Sequence, residues 1–240
     1  NGDGKLTIEE FEAYRATMRK ERKPPVSSQV PPSPMKRYTQ AELESRYESR
    51  EFQGVRYRWF APVVEEGRKY PMILSLHGAG GKGTDNRRNL KVWNGVITES
   101  GFQEKYPCFI VAPQSDGPWR VAGSAPDVDE SVLQTYPETW RQLVKRGRGW
   151  LDDAPNGNLG TVFELLDHLA AGFPIDSDRV YVLGHSMGGF GSFEAVAMAP
   201  DRFAAAIPSA GGLLPWHDVA RFSHVPIWAF HGDADGTVPF

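Results

Sequence analysis

Gly184-His185-Ser186-Met187-Gly188-Gly189 sets a serine between glycines at G-x-S-x-G spacing, after the apolar run Val180-Tyr181-Val182-Leu183 and before the helix-compatible stretch Phe190 to Ala199. Strand, sharp turn and helix in that order suit a nucleophile elbow, a turn so tight that only residues without bulky side chains can flank the serine. Ser186 is the candidate nucleophile for acyl transfer. The Met187 N–H, immediately after it, is a candidate donor to the developing oxyanion. Any Gly/Ser-rich turn can mimic this pattern, so other segments must decide.

Ester hydrolysis by a serine also needs a base for the hydroxyl proton, a carboxylate to orient that base, and a second oxyanion donor. His77-Gly78-Ala79-Gly80-Gly81 ends an upstream apolar run, and its glycines let main-chain N–H groups approach a substrate oxygen. His231-Gly232-Asp233-Ala234-Asp235-Gly236-Thr237-Val238-Pro239 follows the short apolar run Ile227 to Phe230. An aspartate at the carboxyl end of a later strand lies on the same rim of the sheet as Ser186. Spacing does not choose between Asp233 and Asp235. Between Pro113 and Pro155 stand Trp119, Trp140, Trp150 and Tyr136, in a stretch longer than a plain strand-to-helix connection. It reads either as a cap or binding wall for an aromatic or sugar-bearing ester, with Gly80 and Trp119 as substrate contacts, or as a surface excursion packed on itself.

The elements that must position these residues are apolar runs of strand length. Tyr70-Pro71-Met72-Ile73-Leu74-Ser75-Leu76 and Phe109-Ile110-Val111-Ala112-Pro113 read as buried strands, and Ala204 to Pro208 and Ile227 to Phe230 as two shorter ones. Val162, Leu165, Leu166 and Leu169 mark one face of a helix. Val55, Tyr57 and Trp59 alternate with Arg56, Arg58 and Phe60, which suits a half-exposed antiparallel edge strand. Apolar strands alternating with helices predict an α/β protein with a mostly parallel sheet covered on both faces.

The chain has 240 residues, 40% hydrophobic, with a formal net charge of −3. That supports one large domain plus an appendage, with no basic stripe for nucleic acid. No apolar run approaches the length of a bilayer span. The single cysteine, Cys108, excludes an intrachain disulfide and reads as a buried structural thiol. The prolines between Pro24 and Pro34 mark a linker, so the segments expected are 1–23, a Pro-rich linker over 24–37, and a catalytic domain over 38–240.

The opening Asn1-Gly2-Asp3-Gly4-Lys5-Leu6-Thr7-Ile8-Glu9-Glu10 resembles an EF-hand loop from its third slot onward. Asn1 and Asp3 would supply side-chain oxygens, Lys5 its carbonyl and Glu10 a bidentate carboxylate to Ca²⁺. The alternative is a capped surface helix that binds nothing. This module beside a Pro-rich linker implies a secreted or periplasmic bacterial protein.

The glycine loop at 77–86, the Ser186 turn and the 231–239 segment, in that order, resemble the α/β-hydrolase superfamily. More closely they resemble the bacterial carboxylesterases often labelled predicted peptidases, related to phospholipase/carboxylesterase and feruloyl-esterase-like enzymes. The likeness runs from about Tyr47 to the end. It implies that Asp235 is the triad acid and that Ala79, or Gly80, gives the first oxyanion N–H. Asp85 and Asn86 either shape the loop entrance or, for Asp85, cap a local turn. The implied reaction is hydrolysis of a small-molecule or carbohydrate-linked ester, through an acyl-enzyme and without a cofactor. A prolyl-oligopeptidase-like serine peptidase, or a calcium-regulated binding protein on a hydrolase scaffold, are the rival functions. The family's base is a histidine some tens of residues after the acid, and no residue of this chain matches it. The chain therefore reads as a C-terminally truncated piece of an α/β-hydrolase, inactive by itself, with His217 or His224 the remaining candidates for a base.

Overall fold

The computed structural model describes residues 36–121, 158–214 and 216–238, together with Ser131, Gln134, Glu138, Arg141 and Gln142. The chain divides into two units, Asn1–Lys36 and Arg37–Phe240, and the architecture below is that of the second. The expectations placed on Asn1, Asp3, Lys5 and Glu10, and on Tyr136, Trp140 and Trp150, fall outside the described residues.

Six strands form one sheet in the order β1-β2-β4-β3-β5-β6. They are β1 Glu48–Phe52, β2 Val55–Phe60, β3 Tyr70–Leu76, β4 Phe109–Pro113, β5 Ile175–His185 and β6 Ala205–Ser209. Strands β3 to β6 run parallel, while β1 and β2 are antiparallel additions. The described helices of more than one turn are α1 Gln40–Ser45, α2 Val92–Ile97, α3 Ser100–Lys105, α4 Leu159–Gly172 and α5 Met187–Met198. Residues 226–230 extend the sheet beyond β6, through parallel bridges Ala206 to Ile227 and Ser209 to Phe230. No helix among the described residues is long and apolar enough to cross a membrane.

Alternation along β4 shows why the sheet is covered twice. Phe109 and Val111 join the larger cluster with Trp59, Leu74, Val182, the α4 residues Val162, Leu165 and Leu169, and Val196 of α5. Ile110 and Ala112 face the other way, onto Leu43 of α1, Ile97 of α2 and Cys108. Successive strand side chains point to opposite faces, so a run with no polar member needs a layer on each side. Cys108 is buried, and burial pushes its thiol up to about 11, as suits an inert packing residue.

The strand at Val55–Phe60 differs from the edge position that its alternation predicts. β1 takes the edge, and β2 lies between it and β4. The two are joined by a two-residue turn in which Gln53 and Gly54 both have positive φ, 47° and 79°. That is the geometry whose twist suits a hairpin. The polar face of β2 is covered in part: Arg58 is buried, its Nε donating to the Asn86 carbonyl at 2.7 Å and its guanidinium lying 3.5 Å from Glu44.

Candidate active site

Ser186 links β5 directly to α5, with φ 56° and ψ −119°. An L-residue adopts that conformation only when its surroundings over-determine it. Those surroundings are backbone. A side chain on Gly184 would lie 2.3 Å from the Gly188 carbonyl oxygen, and one on Gly188 would lie 2.1 Å from the Leu76 carbonyl oxygen. The turn is pinned from the other side by the Ser186 N–H, which donates to the Ser209 carbonyl at 2.8 Å. Strand β5, helix α5 and the end of β6 thus converge on one residue and lift it to the carboxyl rim of the sheet.

The glycine loop lies against this turn. A Cβ built on Gly78 would stand 3.5 Å from Ser186 Cβ, and Ala79 and Gly80 are exposed at the loop tip. Among the described residues, neither the Ala79 nor the Met187 N–H has a hydrogen-bond acceptor in the protein. Met187 is the first residue of α5, where amide donors are left over by the helix itself. Two unspent donors beside a strained serine can stabilise an oxyanion.

His77 is the clamp behind the loop. Its Nδ1 lies 2.8 Å from the Gly78 carbonyl, so that nitrogen carries the proton, and its Nε2 accepts the Ser115 N–H at 3.0 Å. Burial drives its pKa down to about 4, keeping the ring neutral. Trp119 supports the same loop. Its indole N–H donates to the His77 carbonyl at 2.9 Å, and its ring meets the His77 ring edge-on at 4.8 Å. Trp119 is 2% exposed, which makes it a prop beneath the loop and leaves no broad ring face for a substrate. Asp85 closes a local turn, accepting from Arg87 N–H at 3.1 Å and Gln114 Nε2 at 3.0 Å, while Asn86 is buried beneath it.

Asp235 lies in the loop after residues 226–230, half-buried, while Asp233 is exposed. Its Oδ1 accepts the Thr237 and Val238 N–H groups at 2.8 and 3.0 Å. These bonds to Val238 and Thr237 hold its carboxyl below the usual carboxylate range, with smaller pulls from His231 and His185. The bridge from Ser209 to Phe230, beside the Ser186 N–H bond to the Ser209 carbonyl, brings the segment before this loop to the same rim as Ser186.

The histidines are placed for other work. His217 Nδ1 accepts the Leu214 N–H at 3.2 Å and its Nε2 lies 2.6 Å from Glu194, so both ring nitrogens are engaged. His224 is exposed, 3.5 Å from Asp201 at the amino ends of the strands, away from Ser186. His168 lies against Phe52, His185 Nδ1 lies 3.3 Å from Ser209 Oγ, and His231 Nε2 donates to the Val238 carbonyl at 2.7 Å.

No sequence motif marks the pair made by Glu194 and His217. Glu194 is 1% exposed on α5 and also faces the Arg120 guanidinium at 4.0 Å. Its one local sign is a single acid inside the otherwise uncharged Phe190-to-Ala199 run.

A profile of the prolyl oligopeptidase family matches residues 145–218. NocK of Nocardia uniformis subsp. tsuyamanensis, an esterase by name, is 28% identical over 181 residues, covering 75% of this chain and 44% of that protein. The crystal structure of a thermostable esterase superposes with a TM-score of 0.64 at 31% identity, covering 82% of this chain and 49% of the other. The chain thus spans less than half the length of either relative. Together with the sheet and the strained turn, these likenesses support the α/β-hydrolase superfamily.

Proposed function

We propose that this chain carries the nucleophile, acid and oxyanion donors of a carboxylic ester hydrolase. The observation that carries the reading is Ser186, strained at the strand-to-helix turn against the Gly78–Gly81 loop. Ser186 Oγ attacks the ester carbonyl, the hydroxyl proton passes to a histidine, and the tetrahedral oxyanion is held by the Ala79 and Met187 N–H groups. The alcohol leaves with that proton, and water then resolves the acyl-enzyme. Asp235 orients the histidine, and Gly80 borders the acyl site.

Because His217 has both ring nitrogens engaged and His224 lies at the far end of the strands, neither suits the base. As the family resemblance implies, we assign the base to a histidine outside these 240 residues. Turnover by the chain alone is then expected to fall by roughly 10⁴ to 10⁶. The esterase relatives favour an ester over a peptide leaving group. The prolyl oligopeptidase match stops at residue 218, before Asp235, and covers only the part that both chemistries share. Calcium at Asn1, Asp3, Lys5 and Glu10 is a separate proposal, to be checked by Ca²⁺ titration of the full-length protein.

The test is hydrolysis of short-chain aryl esters and matched peptides by the full-length gene product, with and without Ser186→Ala. Ester turnover abolished by the substitution is expected. A wild-type rate in the variant sinks the assignment of Ser186, and preferential peptide cleavage replaces the esterase by the peptidase. Robust hydrolysis by the 240 residues alone overturns the external base.

A further inference from the structure

The opposite end of the sheet holds a cavity of about 410 Å³, at the amino ends of β3 and β4 and beside Arg179 to Tyr181 of β5. That volume falls within the range of small-molecule sites. From Tyr181 to Ser186 the strand rises about 3.3 Å per residue, so roughly 15 to 20 Å of β5 separates the cavity from the nucleophile. It is not part of the candidate active site.

Its walls are rings and its rim is basic. Phe102 and Tyr106 come from α3 and its end, Tyr181 from β5, and Tyr106 is 54% exposed, a large aromatic turned to solvent. Four cations surround them. Arg68 pairs with Glu65 at 3.3 Å and Arg179 with Asp176 at 2.6 Å, so those two are balanced. Lys69 and Lys105, both exposed, make no ion pair among the described residues. Lys105 Nζ lies 5.1 Å from the centre of the Tyr106 ring, so one positive charge sits directly over the aromatic wall. Beside Arg179, Lys69 also helps to hold the Asp176 carboxyl below the usual carboxylate range, which leaves Lys105 as the cation farthest from a compensating acid among these four, and the result is an apolar slot with a basic mouth.

We infer that this cavity binds an aromatic monoanion, a one- or two-ring carboxylate whose ring covers the wall made by Tyr181 and the contacting pair Phe102 and Tyr106, centroids 5.5 Å apart, and whose charge meets Lys69 and Lys105. A ring alone would forgo the lysines, and a small hydrated anion would leave the apolar wall uncovered. The complementarity needs both halves of one ligand. This inference does not depend on the reading of Ser186.

The test is calorimetric titration of the 240-residue chain with 2-naphthoate, with ligand-induced NMR shifts to locate it. One saturable site is expected, with shifts at Tyr106 and Tyr181 and none at Ser186 or Met187. Lys69→Gln with Lys105→Gln, exposed changes that leave the core intact, is expected to weaken binding at least tenfold. Tyr106→Ala and the neutral analogue 2-naphthylmethanol are expected to lose affinity by a similar factor. The inference is overturned by absent saturation at millimolar ligand, by shifts centred on Ser186, or by equal affinity in the lysine variant or for the neutral analogue.

Discussion

A serine held at φ 56° and ψ −119° costs on the order of 1–3 kcal/mol relative to a relaxed backbone. The Ser186 side chain caps nothing at the start of α5, so deleting it forfeits no helix cap. Ser186→Gly is therefore expected to be more stable than Ser186→Ala by about 1 kcal/mol or more, because only glycine relieves the strain. Equal urea midpoints for the two variants would show that the turn is not strained. His77 makes a second prediction at this scale. Its pKa is about 4 when folded against an ordinary 6.5, so between those values the unfolded chain binds more protons. Stability therefore rises with pH across that window, and as pH falls from 6.5 to 4 up to about 3 kcal/mol is lost. His77→Gln keeps an acceptor for Ser115 N–H and a donor for Gly78, and is expected to flatten that part of the stability profile; an unchanged slope between pH 4 and 6.5 would contradict it.

Helix α5 and the segment after β6 are joined by Glu194 and His217, both with side chains 2% exposed. Removing one partner leaves the other buried with an unmet hydrogen bond, which typically costs about 1–3 kcal/mol. Glu194→Ala is expected to lose that much in denaturant unfolding. Glu194→Gln, which can still accept from His217, should lose clearly less, and equal losses would mean that the cost is one of packing volume. The same helix shows what could be read in advance. Its start, the strands β3 and β4 and the buried face of α4 follow from apolar periodicity and glycine spacing. β1 does not, because Glu48-Ser49-Arg50-Glu51-Phe52 has the charged composition of an edge strand and no alternation to betray it. Arg58 departs from its pattern for a related reason: a strand position that alternates as polar can be covered by a carbonyl and a carboxylate instead of water. In the site, Ser186 and the glycine loop were legible from spacing. The clamp made by His77 and Trp119 depends on contacts between residues 77, 115 and 119 that no local pattern encodes.

Over the whole molecule the sheet has two unlike edges and two unlike ends. The carboxyl end carries the strained turn and the amino end the basic, ring-lined cavity. One lateral edge is β1, short and charged. The other is the run 226–230, whose N–H groups at Trp228 and Phe230 donate to the Ala206 and Pro208 carbonyls at 2.9 and 3.0 Å. Trp228 and Phe230 are 68% and 46% exposed, and their rings touch at a tilt of 43° with centroids 4.9 Å apart. Among the described residues nothing pairs with the outer side of this run. A backbone edge of this kind beside exposed aromatics is a template for another strand. In colloidal terms this edge is an adhesive patch. Its osmotic second virial coefficient is expected to be negative in moderate salt and to turn positive in Trp228→Lys with Phe230→Lys, while the unfolding midpoint stays nearly constant.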